Sequence, residues 1–260
     1  MEENVRWVNP IADLLIPQRA TLFGWAALFA CLYLLYRFAF EREHRLWAPL
    51  ALLAGTLPLV HTHSLLALVL ISAVWLMYAV FSGPRTVKAL LPWCGYAGLA
   101  GVLCLPQLFG VIFRQTSTGH NFLRFHFNWA NDGDSYLWFY IKNIGLVYLL
   151  LIPAFLLARK ALRWMYGGGL LILVVSEFIL FQPNPYDNNK LLFVWHLLGC
   201  ILAADFLWEF LAGLRSRRAA ALLGSCLVFL GTFGSILTLG REAVSQYQQF
   251  DETGIAVAAF

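Results

Sequence analysis

The sequence predicts an all-α fold, a polytopic integral membrane bundle of about eight transmembrane or re-entrant helices. Three observations predict it. Hydrophobic residues make up 60% of the chain and charged residues only 12%. Apolar runs of helical length recur along the whole sequence, separated by short polar connections. Positive charge is also unevenly placed: connections 41–45, 82–88, 158–165 and 213–218 hold ten of the 18 Lys and Arg residues. Cytoplasmic loops collect Lys and Arg, so these four connections mark the expected cytoplasmic face of a multi-pass protein of the cell membrane.

Residues 1–21 are polar, prolyl and partly acidic, and they lack the basic stretch and apolar run of a signal peptide. Alternation of faces makes them an exported amino-terminal segment. The apolar segments follow at 22–40, 46–60, 64–81, 89–113, 136–157, 166–181, 191–212 and 219–240, forming one membrane domain over 22–240. The second is short: a helix over 46–60 rises about 22 Å, against a hydrocarbon core of about 30 Å. It is kept as the first arm of a hairpin, because one helix over 46–81 would put connections 41–45 and 82–88 on opposite faces. Full or re-entrant, this arm returns the chain to the exported side at His61 and His63. Residues 241–260 open an exported carboxyl-terminal segment, in which 251–260 read as the first turns of an amphipathic helix. Both ends read as cut, and the chain is expected to be a piece of a longer membrane protein.

The formal charge of +4 resides largely in the basic connections, so it reports topology and gives no reason to invoke nucleic acid. Cys31, Cys94, Cys104, Cys200 and Cys226 lie in apolar segments without C-x-x-C spacing and read as small packing residues. Gly167-Gly168-Gly169 lacks the strand, spacing and lysine of a nucleotide loop and suits close helix contact.

Chemistry is concentrated on the face opposite the basic connections. In Gln182-Pro-Asn-Pro-Tyr-Asp-Asn-Asn-Lys190, prolines and turn-formers end one helix and delay the next. Asp187 can hold a metal or act as a base, while Asn188, Asn189 and Lys190 can donate to a phosphate or a sugar hydroxyl. The same loop also reads as a capping turn with Lys190 as an interfacial anchor. His61-Thr62-His63 places two imidazoles two residues apart, which suits a phosphate, a proton-transfer role or a divalent metal. No third metal ligand is close in sequence, and a polar hairpin turn reads equally well. Arg19, just after Pro17-Gln18, can clamp a lipid-linked phosphate or snorkel to headgroups.

Charges within the apolar segments are costly and tend to mark function. Glu177 and Lys142, the latter beside Asn143, lie near the exported ends of their segments and can line a cleft there or pair with each other. Asp205 and Glu209 are expected to pair with Arg215, Arg217 and Arg218. Loop 114–135 mixes His120, Arg124, His126, Asp132 and Asp134 with Phe122, Phe125, Phe127 and Trp129, a pattern that suits a sugar face or an interfacial helix.

Four motifs in order carry a resemblance: Asn9-Pro-Ile-Ala-Asp-Leu-Leu-Ile-Pro-Gln-Arg19 with Phe23-Gly24, Leu59-Val-His-Thr-His-Ser64, Lys142-Asn-Ile-Gly-Leu146 and Pro185-Tyr-Asp-Asn-Asn-Lys190. Together they resemble bacterial multi-spanning glycosyltransferases of the C superfamily, which include protein-mannosyltransferase and aminoarabinose-transferase-like enzymes. The resemblance implies a polyprenyl-phosphate sugar donor used on the non-cytoplasmic face. It makes Arg19, His61, His63 and Lys190 candidates for the lipid-phosphate and acceptor cleft. In that superfamily the catalytic acid lies in the first exported loop, after the first span. Here that position is the basic connection 41–45, so the original first spans and their acidic loop are expected to lie outside this chain.

The leading expectation is therefore the membrane-embedded part of a lipid-linked-sugar glycosyltransferase, with Asp187 as candidate base. The alternatives are a transporter or flippase for a lipid or polar solute, with Glu177 and Lys142 lining the pathway, and a membrane anchor with no site of its own. Inverted-repeat symmetry between halves would mark a transporter, and none is visible.

Overall fold

A computed structural model of the chain describes residues 4–83, 86–116 and 123–245. The Asn9 side-chain oxygen accepts from the Ile11 and Ala12 amides at 2.9 and 3.2 Å and caps a π-helical turn, Pro10–Leu15. Helix α1 (Arg19–Ala39) leads to the short helices α2 (Trp47–Ala54) and α3 (Leu57–Val60), and then to α4 (Thr62–Ser82). Helix α5 (Val87–Gln107) continues through a π-helical turn into α6 (Phe113–Thr116). Strand β1 (Arg124–Phe125) precedes α7 (Tyr136–Ile144), α8 (Leu146–Leu157) and α9 (Lys160–Phe178). Strand β2 (Ile179–Leu180) pairs antiparallel with β1, with Arg124 opposite Leu180. A 3₁₀ turn, Pro185–Asn188, then feeds α10 (Asn189–Ala212), and α11 (Arg217–Val244) completes the described chain.

By length and composition six of these helices can cross a membrane, and α7 with α8 makes a seventh if the pair is one bent span. Helices α2 and α3 supply the short returning arm, so the expected bundle of about eight helical segments stands. Calls on His120, Phe122 and residues 251–260 lie outside the described residues.

The hairpin expected at 46–81 is present. Arg42 Nη2 donates to the Ser82 carbonyl at 2.6 Å and ties the end of α1 to the end of α4. Two helices that finish on one face require α2 and α3 to carry the chain back between them. On this same face Tyr78 of α4 packs against Trp164 of α9, and Arg159 pairs with Asp205 at 3.1 Å. Asp205 thus bonds across to the start of α9 rather than to the arginines after its own helix. The break between α2 and α3 leaves the Gly55 carbonyl outside a regular helix, and Gln107 Nε2 of α5 donates to it at 2.8 Å. Broken backbone inside an apolar bundle needs such a partner.

The straight fifth segment expected over 136–157 does not form. Gly145 adopts φ 72°, ψ −137°, and the axes of α7 and α8 meet at 108°. Only glycine tolerates that backbone region without strain. The cause of the bend lies in Lys142 and Asn143, both held by residues outside the helix, as described below.

Helix α9 is the centre of the bundle. A Cβ on Gly168 would lie 3.2 Å from the Ile71 Cα of α4, and one on Gly169 would lie 3.3 Å from Leu198 of α10. Without a hydrophobic drive between helices in lipid, such close backbone approach is what lets dispersion hold them. The indole N–H of Trp75 adds a bond to the Met165 carbonyl at 3.1 Å, and that of Trp195 one to the Tyr166 hydroxyl at 2.8 Å. Helix α11, by contrast, has no buried residue and presents Phe229, Leu230 and Ile236 outward, as a lipid-facing helix does.

Two outcomes are expected. In a background without native cysteines, single cysteines at Thr62 and Tyr186 label from one side of the membrane and one at Ser216 from the other; labelling of Thr62 and Ser216 from the same side would remove the hairpin. Gly168→Val should lower the unfolding free energy by about 1–3 kcal/mol, the usual penalty of overpacking, measured in detergent by denaturant titration. An unchanged midpoint would mean that α4 and α9 are not in backbone contact.

Candidate functional site

The polar face carries two separate constellations, and the sequence-predicted residues divide between them. The first gathers at the starts of α1, α4 and α10. His61 is the single extended residue between α3 and α4. Its position is set by Gly24 of α1, where a Cβ would fall 2.2 Å from the His61 Cβ. The His61 ring therefore occupies the volume that any other residue at 24 would fill. Its Nδ1 shares a 2.8 Å hydrogen bond with the Ser64 hydroxyl. His63 lies one step into α4, with ring centroids 5.3 Å apart. Both histidines are buried, and the Nε2 atom of each has no hydrogen-bond partner among the described residues.

Lys190 enters this group from the first turn of α10. Its ammonium donates to Asp187 Oδ1 at 2.8 Å, and both side chains are mostly enclosed. The two charges act electrostatically on both imidazoles. His61, His63, Asp187 and Lys190, from remote parts of the sequence, thus meet on one side of the bundle. Burial first, and the Lys190 charge second, lower the His61 pKa from its ordinary 6.5 to about 4, against a smaller opposing pull from Asp187. His61 is neutral at physiological pH. Arg19 is exposed in the opening turn of α1, about 7.5 Å further out along the axis than Gly24. Among the described residues no group of three or more His, Cys, Asp or Glu is arranged to hold a metal.

Asn188 supports this cluster through hydrogen bonds to the backbone. Asn188 is fully buried, donating to the Ile179 and Ser176 carbonyls at 2.7 and 3.2 Å and accepting from the Phe181 amide at 3.2 Å. It staples the end of α9 to the start of α10 and fixes where Lys190 begins its helix. Asn189 is also buried, and its Oδ1 has no hydrogen-bond partner among the described residues.

The second constellation is a strap, Asn4–Trp7, and it accounts for Lys142 and Asn143. Asn143 Oδ1 accepts from the Arg6 and Trp7 amides at 2.6 and 2.9 Å, while its Nδ2 donates to the Phe139 carbonyl at 2.8 Å. Lys142 donates to Asp134 at 2.6 Å, and Asn4 donates to Asp134 at 2.7 Å and to Asn131 at 2.8 Å. Those hydrogen bonds, Lys142 foremost, hold the Asp134 carboxyl below the ordinary carboxylate range. Arg6 reaches the Tyr186 hydroxyl at 2.6 Å and Asp132 at 3.3 Å. Trp7 seats edge-on against Phe193 and Trp195 of α10. Lys142 therefore does not pair with Glu177: that carboxylate accepts from Tyr140 within the bundle. An acid beside several tyrosines offers a nearer and cheaper partner than a lysine already drawn outward to Asp134.

Sequence reasoning missed the strap. Nothing local ties Asn4 to Asn131 or Arg6 to Tyr186. Gly24 and Ser64 both fell within the motifs, without a role until the His61 ring was placed. All five cysteines are free.

The fold and this face define an integral membrane helix bundle with a buried imidazole pair and an ion pair at one rim. Comparison with protein-family models, curated proteins and solved structures finds no match to the chain.

The low His61 pKa fixes the sign of an acid effect. Folding disfavours protonation, so the stabilisation is complete above pH 6.5 and is lost progressively as pH falls from 6.5 through 4. The full span is on the order of 3 kcal/mol. Denaturant titrations at pH 7.5 and 4 should show this loss in the unmodified chain and a smaller one in His61→Asn; equal losses would place His61 in water.

Proposed function

We propose that the chain is the membrane-embedded portion of a glycosyltransferase that takes its sugar from a polyprenyl-phosphate donor at the polar face. The observation that carries this reading is the pair of buried, unpartnered imidazole Nε2 atoms within electrostatic reach of Lys190. Buried polar atoms in native folds nearly always have partners, so two orphans side by side mark a place where a polar group enters. A phosphate oxygen is an acceptor for an ammonium and for imidazole N–H groups alike. The rim of an apolar bundle suits a ligand whose head is charged and whose tail remains in lipid.

The roles follow from the geometry. Lys190 is held by Asp187, so its ammonium is already oriented and little ordering remains when the donor binds. Charge grows on the donor phosphate as the bond to the sugar breaks, and fixed donors at that phosphate stabilise the departing group. A neutral His61 next to an arriving anion regains a reason to bind a proton, which couples donor binding to proton uptake. Asp187 is the carboxylate of the cluster and is assigned to draw the proton from an acceptor hydroxyl. Arg19, further out on α1, is assigned to the donor's second charge or to headgroups beside it. Resemblance of the four motif segments to the C superfamily supports the same donor chemistry.

Purified protein titrated with decaprenyl phosphate should bind it, and Lys190→Ala and His63→Gln should each weaken binding roughly ten- to a hundredfold, the range for one charge-assisted hydrogen bond. The unfolding midpoint of Lys190→Ala should move little by comparison. Parallel losses of affinity and stability would make Lys190 a structural anchor and sink the reading.

A further inference from the structure

The basic face, away from the histidine cluster, holds a second concave feature. A cleft of ≈ 280 Å³ opens between the end of α1, the end of α4 and the start of α5, with Arg42, His44, Ser82 and Thr86 on its walls. Arg42 adopts the left-handed backbone region, φ 58°, uncommon for a side chain of its size. That turn sends its guanidinium to the Ser82 carbonyl, across the cleft. The Ser82 hydroxyl is buried without a partner among the described residues. Helix α5 starts here, with Thr86 at its cap position and on the cleft wall.

A further concave feature lies between α4 and α5. Helices α4 and α5 scarcely touch along their length and meet through one bond, Ser72 to Tyr96, at 3.0 Å. Above and below that bond a groove of ≈ 350 Å³ runs between them, lined by Leu65, Leu68, Leu76, Ala97 and Ala100. Trp93 borders both the cleft and the groove. A cleft bearing Arg42 and an apolar trench that share Trp93 as a wall together have the shape of one molecule with a charged head and a hydrocarbon tail.

We infer that this cleft and groove together form a binding site for an anionic membrane phospholipid. The phosphate and its acidic headgroup lie against Arg42, His44 and the Ser82 hydroxyl. One acyl chain lies between α4 and α5 past Trp93. Basic pockets between helices at a membrane face recognise acidic headgroups by charge, and each basic residue near the surface adds roughly a fivefold preference. Neutral lipids fit the groove equally well and gain nothing from the cleft. The inference does not depend on the donor site at the opposite face.

Tryptophan quenching tests it, because bromine on an acyl chain quenches an indole it touches. The full chain in detergent micelles is titrated with brominated phosphatidylglycerol or brominated phosphatidylcholine, and Trp93→Phe isolates the local signal. Trp93 should be quenched at a mole fraction of phosphatidylglycerol at least roughly fivefold lower than that of phosphatidylcholine. Arg42→Gln should reduce that preference and Arg42→Gln with His44→Gln should abolish it; because the readout is a ratio within one variant, altered stability cancels. Ala97→Trp, which fills the groove, should weaken quenching by both lipids. Soluble glycerol phosphate should fail to compete at concentrations where the lipid saturates. Equal quenching by the two lipids, or a preference that survives the double variant, would overturn the site. Competition by glycerol phosphate alone would make it a simple anion cleft and overturn the lipid assignment.

Discussion

How closely α9 approaches its neighbours governs the rest of this molecule. Lipid gives helices no hydrophobic reason to associate, so contact has to come from fit and from hydrogen bonds that hydrocarbon cannot replace. Gly168 lets α4 lie against α9 backbone to backbone, and Gly169 lets the Leu198 and Trp195 side chains of α10 pack onto the α9 backbone. Three indole N–H groups then lock the arrangement, from Trp75 and Trp195 and, at the polar rim, from Trp129 to the Ser176 carbonyl at 2.9 Å. With those separations fixed, the first turns of α4 and α10 arrive side by side. His63 and Lys190 are neighbours because two helices share a third.

The same economy explains why irregular backbone appears where it does. Three stretches of non-helical backbone are met by a side chain that takes over the freed group: Gln107 at Gly55, Asn188 at the α9–β2 junction and Asn143 at the strap. Carboxamides dominate this list because they carry a donor and an acceptor without a charge to desolvate. Apart from Glu177, the charged groups described above lie at the rims, where Lys190 pairs with Asp187 on one face and Arg42 crosses to Ser82 on the other.

Much of this was legible in the sequence, and the limits have physical causes. The long spans were legible because bilayer thickness imposes a length and a composition that few other folds share. The hairpin was legible because charge bias fixes parity even when an arm is too short to span. His61, His63, Asp187 and Lys190 were legible as a group because each sits at a helix end on one face. The bend at Gly145 was not, since an isolated glycine within an apolar run is compatible with a straight membrane helix. Its cause is Lys142 bonded to Asp134 and Asn143 bonded to residues near the start of the sequence. Local pattern cannot report a bond whose partner is remote, and for the same reason the roles of Asn4, Arg6 and Gly24 emerged only with the fold.

The strap has a temporal consequence. Its residues precede every helix, yet Arg6 is satisfied by Asp132 and Tyr186, and Trp7 by Phe193 and Trp195. During synthesis these partners emerge only after most of the bundle has been made. These polar residues therefore wait for their hydrogen bonds until α10 has been made, and until then they must stay in water on the polar side. Docking of the strap becomes a closing step that reports whether α7 has bent and α10 has seated. A bundle with a misplaced helix would leave that segment undocked and open to proteases, so Asn4–Trp7 serve as a check on the assembly of the helices that follow them.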